Sequence, residues 1–465
     1  MKFGGTSVAD PEAIGRVAAI VKRQMADGRG QTRVRVASDP KLSSKPPVVV
    51  VSALSKVTDR LIAAARLAEG GDGDAAAASL TELLERHRSV ASSLTTGAAR
   101  TELLGQVTTE FESLIGLVRA LSVLREVSPR TMDAVVATGE LISSRIVTAA
   151  LKERGIPAAW VDSRTVLVTD AEHSAAVPDM EATCTRTHER VAPLRASNQV
   201  AVLGGFIGAT ADGITTTLGR GGSDYSAAIF GACLDVDEIQ IWTDVDGMLT
   251  ADPRIVANPR LVPQLTFAEA SELAYFGAKV LHPATILPAV AKNIPVKILN
   301  SHQPDNPGTT ITSKPGTPEG QFTALACKRD VTVIDITSSR MLNAYGFLRR
   351  LFEVFERFRT SVDVVTTSEV SVSVTVDDTR RLDEIVENLK QFAEVSCERQ
   401  MGLVSAVGEN LHEDTTLFGR TVTALDRIPL RLVSQAASRR NITFVLRDAD
   451  VPQAMQLLHE RFFGR

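Results

Sequence analysis

At 465 residues the chain exceeds one ordinary hydrophobic core and predicts about two to four domains, and its 44% hydrophobic and 23% charged residues exclude a disordered or fibrous class. A net charge of −4, with basic residues scattered among acidic ones, gives no footprint for nucleic acid. Four widely spaced cysteines (Cys184, Cys233, Cys327, Cys397) suggest neither a zinc site nor a disulfide framework, and no run approaches the ~20 apolar residues of a membrane span, so a reducing cytoplasm is the expected setting.

Asp10 and Pro11 mark a helix start, behind which Ile14, Val17, Ala18, Val21 and Met25 keep one apolar face. The polar, breaker-rich stretch 28–46 reads as a surface insertion before a buried-type strand at 47–51. Further strands are expected at 158–161, 200–205, 239–242 and 295–299, with helices around 129–154, 224–233 and 267–280. That alternation predicts an α/β sandwich around a largely parallel sheet. The proline- and glycine-rich stretch 303–320 is the clearest boundary, which places a first domain at 1–302.

Beyond it the pattern changes to strand 332–337, helix 345–358, strands 362–366 and 370–376, helix 380–392 and strand 393–397, a βαββαβ unit. A second round runs through strand 402–407, helix 417–426, strands 430–434 and 442–446 and helix 452–463, and lacks one strand. The spare strand 322–328 is expected to supply it, because an open edge would expose unpaired backbone groups. The first unit (331–401) is then inserted within the second (322–330 plus 402–465).

Neither a GxxxxGK[ST] P-loop nor a GxGxxG after a strand occurs, so any phosphate site must use another arrangement. Lys2-Phe3-Gly4-Gly5-Thr6-Ser7 offers glycines for close backbone approach and a lysine charge for an anion, although taken alone it reads more readily as a plain strand-to-helix turn. Thr217-Leu218-Gly219-Arg220-Gly221-Gly222-Ser223-Asp224 is more specific. It puts three glycines, an arginine fork and a Ser/Asp helix start together, a concave row of N–H donors suited to a carboxylate or phosphate. Trp242-Thr243-Asp244-Val245-Asp246-Gly247 ends a strand, where ligands of open α/β sheets collect, or is a plain turn. In Phe276-Gly277-Ala278-Lys279-Val280-Leu281-His282-Pro283, His282 reads as a capping histidine.

In this order, and with SEVSVSV beyond the boundary, the words KFGGTS, TTTLGRGGSD, WTDVDG and FGAKVLHP resemble the amino-acid kinase superfamily, its aspartate kinases in particular, over essentially the whole chain. The resemblance implies a three-layer αβα sandwich followed by two ferredoxin-like ACT domains. It implies transfer of the ATP γ-phosphoryl group to the side-chain carboxylate of L-aspartate, with Mg²⁺ carried by the nucleotide and no resident metal. Carried across, Lys2, Gly5, Asp224 and Lys279 look catalytic. Lys2, Gly4, Gly5 and Ser7 look like the phosphate-binding group, and Thr243, Asp244, Leu249, Arg254, Lys279 and Val280 match ATP-binding positions. Leu249 stands where the family often has tyrosine. Thr58, Glu140, Arg220, Gly221, Gly222 and Ser223 match aspartate-binding positions, with Arg220 on the α-carboxylate and Glu140 on the ammonium. An aspartate side chain, with a pKa near ~3.9, is already ionised at neutral pH and needs no general base.

The turn around Met341, Gly346, Phe347 and Leu348, with Val362, Asp363, Ser368, Glu369 and Val370, resembles the effector site of lysine-sensitive members, with threonine as the alternative effector. Expected partners are aspartate, ATP and lysine, with a homodimer or homotetramer built through the ACT domains and neither nucleic acid nor membrane. Kinases of acetylglutamate, glutamate or nucleotides mostly lack the C-terminal pair of units. A silent amino-acid sensor would not need Lys2, Glu140, Arg220 and Asp244 intact.

Overall fold

The computed structural model describes residues 1–27, 45–278, 283–338, 345–435 and 439–464, so nearly all of the expected 28–46 insertion lies outside the described residues. Two compact units result, Met1–Gly247 with Leu281–Ser313 and Met248–Val280 with Lys314–Arg465. The chain therefore passes between units three times, after Gly247, after Val280 and, within the breaker-rich stretch, after Ser313.

In the first unit seven strands lie in the order Ala158–Val161, Val200–Gly204, Val48–Val51, Lys2–Phe3, Ile239–Thr243, Val296–Asn300, Thr309–Thr312. All but the last pair in parallel, and Lys2 is held in register between Val50 and Ile241. The β-branched runs are buried on both faces, as a helix-covered parallel sheet requires. The Thr309–Thr312 strand falls inside the stretch read as linker, because prolines and glycines flank it on both sides.

Three helices, Val57–Glu69, Gly73–Leu94 and Gly97–Leu124, precede the Pro129–Glu153 helix and share its core. Ser128 caps that last helix by accepting the Thr131 N–H, with Pro129 at its first position. The Pro129–Glu153 helix is long and apolar enough to cross a bilayer, unlike the sequence expectation, yet 83% of its most apolar window is buried, so its composition reflects a core position. A second correction concerns the cysteines: Cys184, on the Met180–Arg190 helix, and Cys233, ending the Gly222–Cys233 helix, form a disulfide with Cα atoms 4.7 Å apart. Their sequence separation of 49 gave no sign that the two helices pack side by side.

The second unit is built on a six-stranded antiparallel sheet, in the order Val365–Thr367, Ser371–Val376, Phe322–Thr337, Glu394–Gly408, Asn441–Arg447, Leu430–Gln435. Phe322–Thr337 and Glu394–Gly408 are continuous long strands with register shifts around 328–333, where the sequence pattern shows four short pieces. One end, with Lys328 against Leu403, joins the second repeat; the other, with Thr332 against Val376, joins the first. The helices Phe347–Arg357 and Leu382–Lys390 close one core around Ile334, Phe355 and Val374, and Leu417–Ala424 and Val451–Phe463 close another around Val404, Phe444 and Met455. The helix expected to run to 280 is Phe267–Tyr275. Gly277 sits at φ +113, and a Cβ there would lie 2.3 Å from the Cys327 carbonyl oxygen, so the chain must leave the helix before that contact.

Candidate active site

The cleft of the first unit opens at the carboxyl ends of its central parallel strands, where ligands collect in such sheets. Its volume is about 280 Å³ and its walls include Lys2, Ser52, Thr58, Glu140, Phe206, Gly219 and the run from Gly221 to Asp224. Lys2 is nearly buried, and its Nζ lies 2.7 Å from Asp224 Oδ1, in the first turn of the Gly222–Cys233 helix. Here a negative charge at a helix N-terminus holds a lysine charge in place at the cleft.

The glycines of the two loops are needed for space as much as for conformation. A Cβ on Gly5 would approach the Ala53 carbonyl oxygen to 3.1 Å, and one on Gly222 would approach the Phe206 ring to 2.6 Å. Gly219 and Gly221 adopt φ of +74 and +72, which turn the chain sharply into the helix and leave backbone N–H groups at its start. Arg220, between two lining glycines, has an exposed side chain and is absent from the cleft wall itself.

Glu140 is the most unusual group. Its side chain is buried and Oε1 accepts the Ala53 N–H at 3.1 Å, while Oε2 has no hydrogen-bond partner among the described residues. Burial pushes the carboxyl from 4.5 up to about 8, against the opposing pull of the Ala53 N–H. A buried carboxylate oxygen facing a cleft without a partner is a receptor for a cation or a hydrogen-bond donor.

Among the other expected residues, Ser7 is buried with its hydroxyl 2.8 Å from Ser301 Oγ, a tie between loops. Gly4 donates its N–H to the Trp242 carbonyl, which places Thr243 and Asp244 on the same sheet edge; Asp244 is exposed and accepts from Thr243 Oγ1 at 3.2 Å. Leu249 and Arg254 belong to the second unit, where Leu249 bridges Leu261 and Arg254 grips Asp252 at 2.6 Å. Lys279, Val280 and Met341 lie outside the described residues.

Sequence reasoning passed over Ser52 and Phe206. Phe206 adopts φ +67 and donates its N–H to Ser226 Oγ, so the chain folds back under the glycine loop. The signal was present: Gly204-Gly205 at the end of a strand. A Cβ on Gly205 would lie 2.7 Å from Ser223 Cβ.

In the second unit, Gly346 at φ +80 precedes the Phe347–Arg357 helix, Phe347 packs edge-on to Phe392, and Leu348 is exposed. Ser368, Glu369 and Val370 form the tight turn between Val365–Thr367 and Ser371–Val376, with Ser368 Oγ 2.7 Å from Ser371 Oγ. Asp363 is elsewhere on the hairpin: its N–H donates to the Thr375 carbonyl, and its carboxylate accepts from Lys328 Nζ at 2.6 Å. Burial raises the Asp363 carboxyl above its ordinary value and Lys328 opposes the rise. Lys328 also sits 4.6 Å from the Tyr275 ring centre, whose hydroxyl donates to the Val362 carbonyl.

The sequence model of the amino acid kinase family matches residues 1–300, and an ACT domain model matches residues 404–462. Aspartokinase 3 of Arabidopsis thaliana, a chloroplastic enzyme, is 35% identical over 100% of this chain and 81% of its own length. Lysine-sensitive aspartokinase 3 of Escherichia coli is 34% identical over 99% of this chain and 98% of its own. The crystal structure of E. coli aspartokinase III with aspartate and ADP superposes with a TM-score of 0.81 at 34% identity over 99% of both chains, and that of the Clostridium acetobutylicum aspartate kinase with 0.80 at 25% over 99% of both. With a family model matching residues 1–300 and relatives 34–35% identical along essentially the whole chain, this chain belongs to the aspartokinases of the amino acid kinase family.

Proposed function

We propose that the chain transfers the γ-phosphoryl group of MgATP to the side-chain carboxylate of L-aspartate, giving 4-phospho-L-aspartate, and that lysine inhibits it. The observation that carries this reading is Glu140: a buried carboxylate with one unpartnered oxygen, in the same cleft as a lysine held by Asp224 and a glycine loop at a helix N-terminus. Glu140 takes the substrate ammonium, and Arg220 reaches in from its exposed position for the α-carboxylate. Lys2 and the N–H groups around Gly5 and Gly221 face the transferring group. The nucleotide's Mg²⁺ supplies further neutralising charge on the phosphates.

The acceptor is already ionised, so this chain's residues have only to bring two anions together and spread charge in the transition state. That agrees with a cleft holding a lysine and glycine N–H groups and, among its wall residues, no histidine. We assign catalysis to 1–302, a connection carrying the Thr309–Thr312 strand to 303–320, and the ACT domains to 331–401 and to 322–330 with 402–465. The regulatory edges Val365–Thr367 and Leu430–Gln435 leave strands for pairing between copies, and light scattering at micromolar concentration should show a dimer or tetramer.

The test is acyl-phosphate formation trapped by hydroxylamine, with aspartate, glutamate and acetylglutamate supplied in parallel. Hydroxamate from aspartate alone is expected; turnover with glutamate and not aspartate refutes the reading.

A further inference from the structure

Outside the residues carried over from the family, one buried carboxylate is bound by more donors than any local turn requires. Asp133 is fully buried in the second turn of the Pro129–Glu153 helix. It accepts from Thr217 Oγ1 at 2.6 Å, from His173 Nδ1 at 2.7 Å and from the Ser174 N–H at 3.1 Å. These donors come from two separate stretches of chain, and neither belongs to the helix itself.

Each stretch leads to the cleft. Thr217 ends the short Thr215–Thr217 strand, and two residues later Gly219 begins the turn that carries Arg220. Ser174, itself at φ +70, presses its carbonyl against that turn, since a Cβ on Gly219 would meet it at 3.0 Å. The Ala176 N–H closes the arrangement on the Thr217 carbonyl at 2.9 Å. On the helix side, Asp133 and Glu140 are seven residues apart, two turns along one face and about 10 Å in rise. One carboxylate thus fastens the helix that bears Glu140 to the strand that feeds the glycine loop.

Burying a carboxylate is costly unless its oxygens are satisfied, and a helix of this length and apolar content does not need one. We propose that Asp133 is a positioning residue for the acceptor amino acid, fixing the spacing between Glu140 and the Gly219–Asp224 loop. This inference rests on the aspartate-binding reading of that cleft. The aspartate has to meet a carboxylate at its ammonium and the loop at its α-carboxylate together, so loosening the tie weakens aspartate binding. The phosphate end of the cleft has a tie of its own, the Lys2–Asp224 ion pair, and should be affected less.

The experiment compares Thr217→Val, which keeps the side chain's shape and removes the hydroxyl, with Thr217→Ser, which keeps the hydroxyl. Asp133→Asn, which keeps volume but loses charge and an acceptor, is the second probe. Initial rates are measured on the full chain with aspartate varied at saturating MgATP and the reverse. Thr217→Val and Asp133→Asn should raise the aspartate KM by about tenfold while the ATP KM stays within about twofold of wild type, and Thr217→Ser should restore the wild-type value. An equal rise in both KM values, or an unchanged aspartate KM in either variant, overturns the positioning role, as does failure of Thr217→Ser to restore it. Wild-type protein that does not phosphorylate aspartate refutes the function instead.

Discussion

Glu140 gives the most exacting prediction, because its charge state in the cleft is set by burial and its proposed ligand is a cation. The perturbation is pH, with Glu140→Gln as the matched variant. With the carboxyl raised to about 8, roughly nine in ten substrate-free molecules carry a proton on Glu140 at pH 7. An ammonium needs the carboxylate, so binding aspartate must expel that proton. The apparent affinity should rise roughly twenty-five-fold between pH 6.5 and pH 8.5, and close to one proton should be released per site at pH 7. Calorimetric titration of aspartate in two buffers of different ionisation enthalpy measures both. Glu140→Gln, which cannot ionise, should bind more weakly and lose the dependence.

The same shift has a stability consequence of opposite sense. The folded pKa lies above the ordinary 4.5, so the folded state holds the proton that the unfolded state has lost. The associated stability is present in full below pH 4.5 and disappears as pH rises through about 8. Glu140→Gln should therefore melt higher than wild type at pH 7.5, with the gain shrinking towards pH 5 and gone below about pH 4. A wild-type aspartate affinity that is flat from pH 6.5 to 8.5, or a Gln variant with the same slope, refutes the reasoning.

Lys2→Met should lower kcat by about 10²–10³-fold with little change in the aspartate KM, since its charge acts on the transferring group; a kcat within threefold of wild type contradicts that role. Gly139→Ala, ordinarily worth about 1 kcal/mol of helix stability, should instead destabilise by about 1–3 kcal/mol in urea titration. Its Cβ would lie 2.8 Å from Ala53 Cβ, beside the N–H that Glu140 accepts. Glu369→Ala should weaken lysine inhibition by about tenfold while leaving uninhibited turnover alone, measured by titrating lysine and threonine separately; inhibition by threonine only would reassign the effector.

Much of this was legible because several signals are local. The strands at 48–51, 158–161, 200–204 and 239–243 stand out as β-branched runs, and the glycine loop is marked by residues that only a close approach or a positive φ demands. What escaped depends on distant packing. The helices at 73–124 carry their apolar residues at helical spacing, with Leu103, Val107, Phe111, Leu114, Val118 and Leu121 all buried, a signal present in the sequence and passed over. By contrast, nothing near Asp133 announces that Thr217 and His173 will converge on it from 84 and 40 residues away. The same holds for Cys184 and Cys233. The merging of short strand signals into two long strands is a matter of register around 328–333, which alternation of residue types does not encode.

The carboxylates of Glu140 in the cleft and Asp363 among the expected effector residues are both buried but prepared differently, and the contrast bears on how each ligand would act. Glu140 has no ion-pair partner among the described residues, so a substrate ammonium would add the first positive charge and its binding would be coupled to proton release. Asp363 already accepts from Lys328, which is shared with Asp377 at 3.0 Å and stacked over Tyr275. An effector ammonium arriving at Asp363 therefore exchanges with, or crowds, a cation already in place. An effector ammonium at Asp363 would have an outlet in the same unit, since displacing Lys328 would release its hold over the Tyr275 ring at the end of the Phe267–Tyr275 helix.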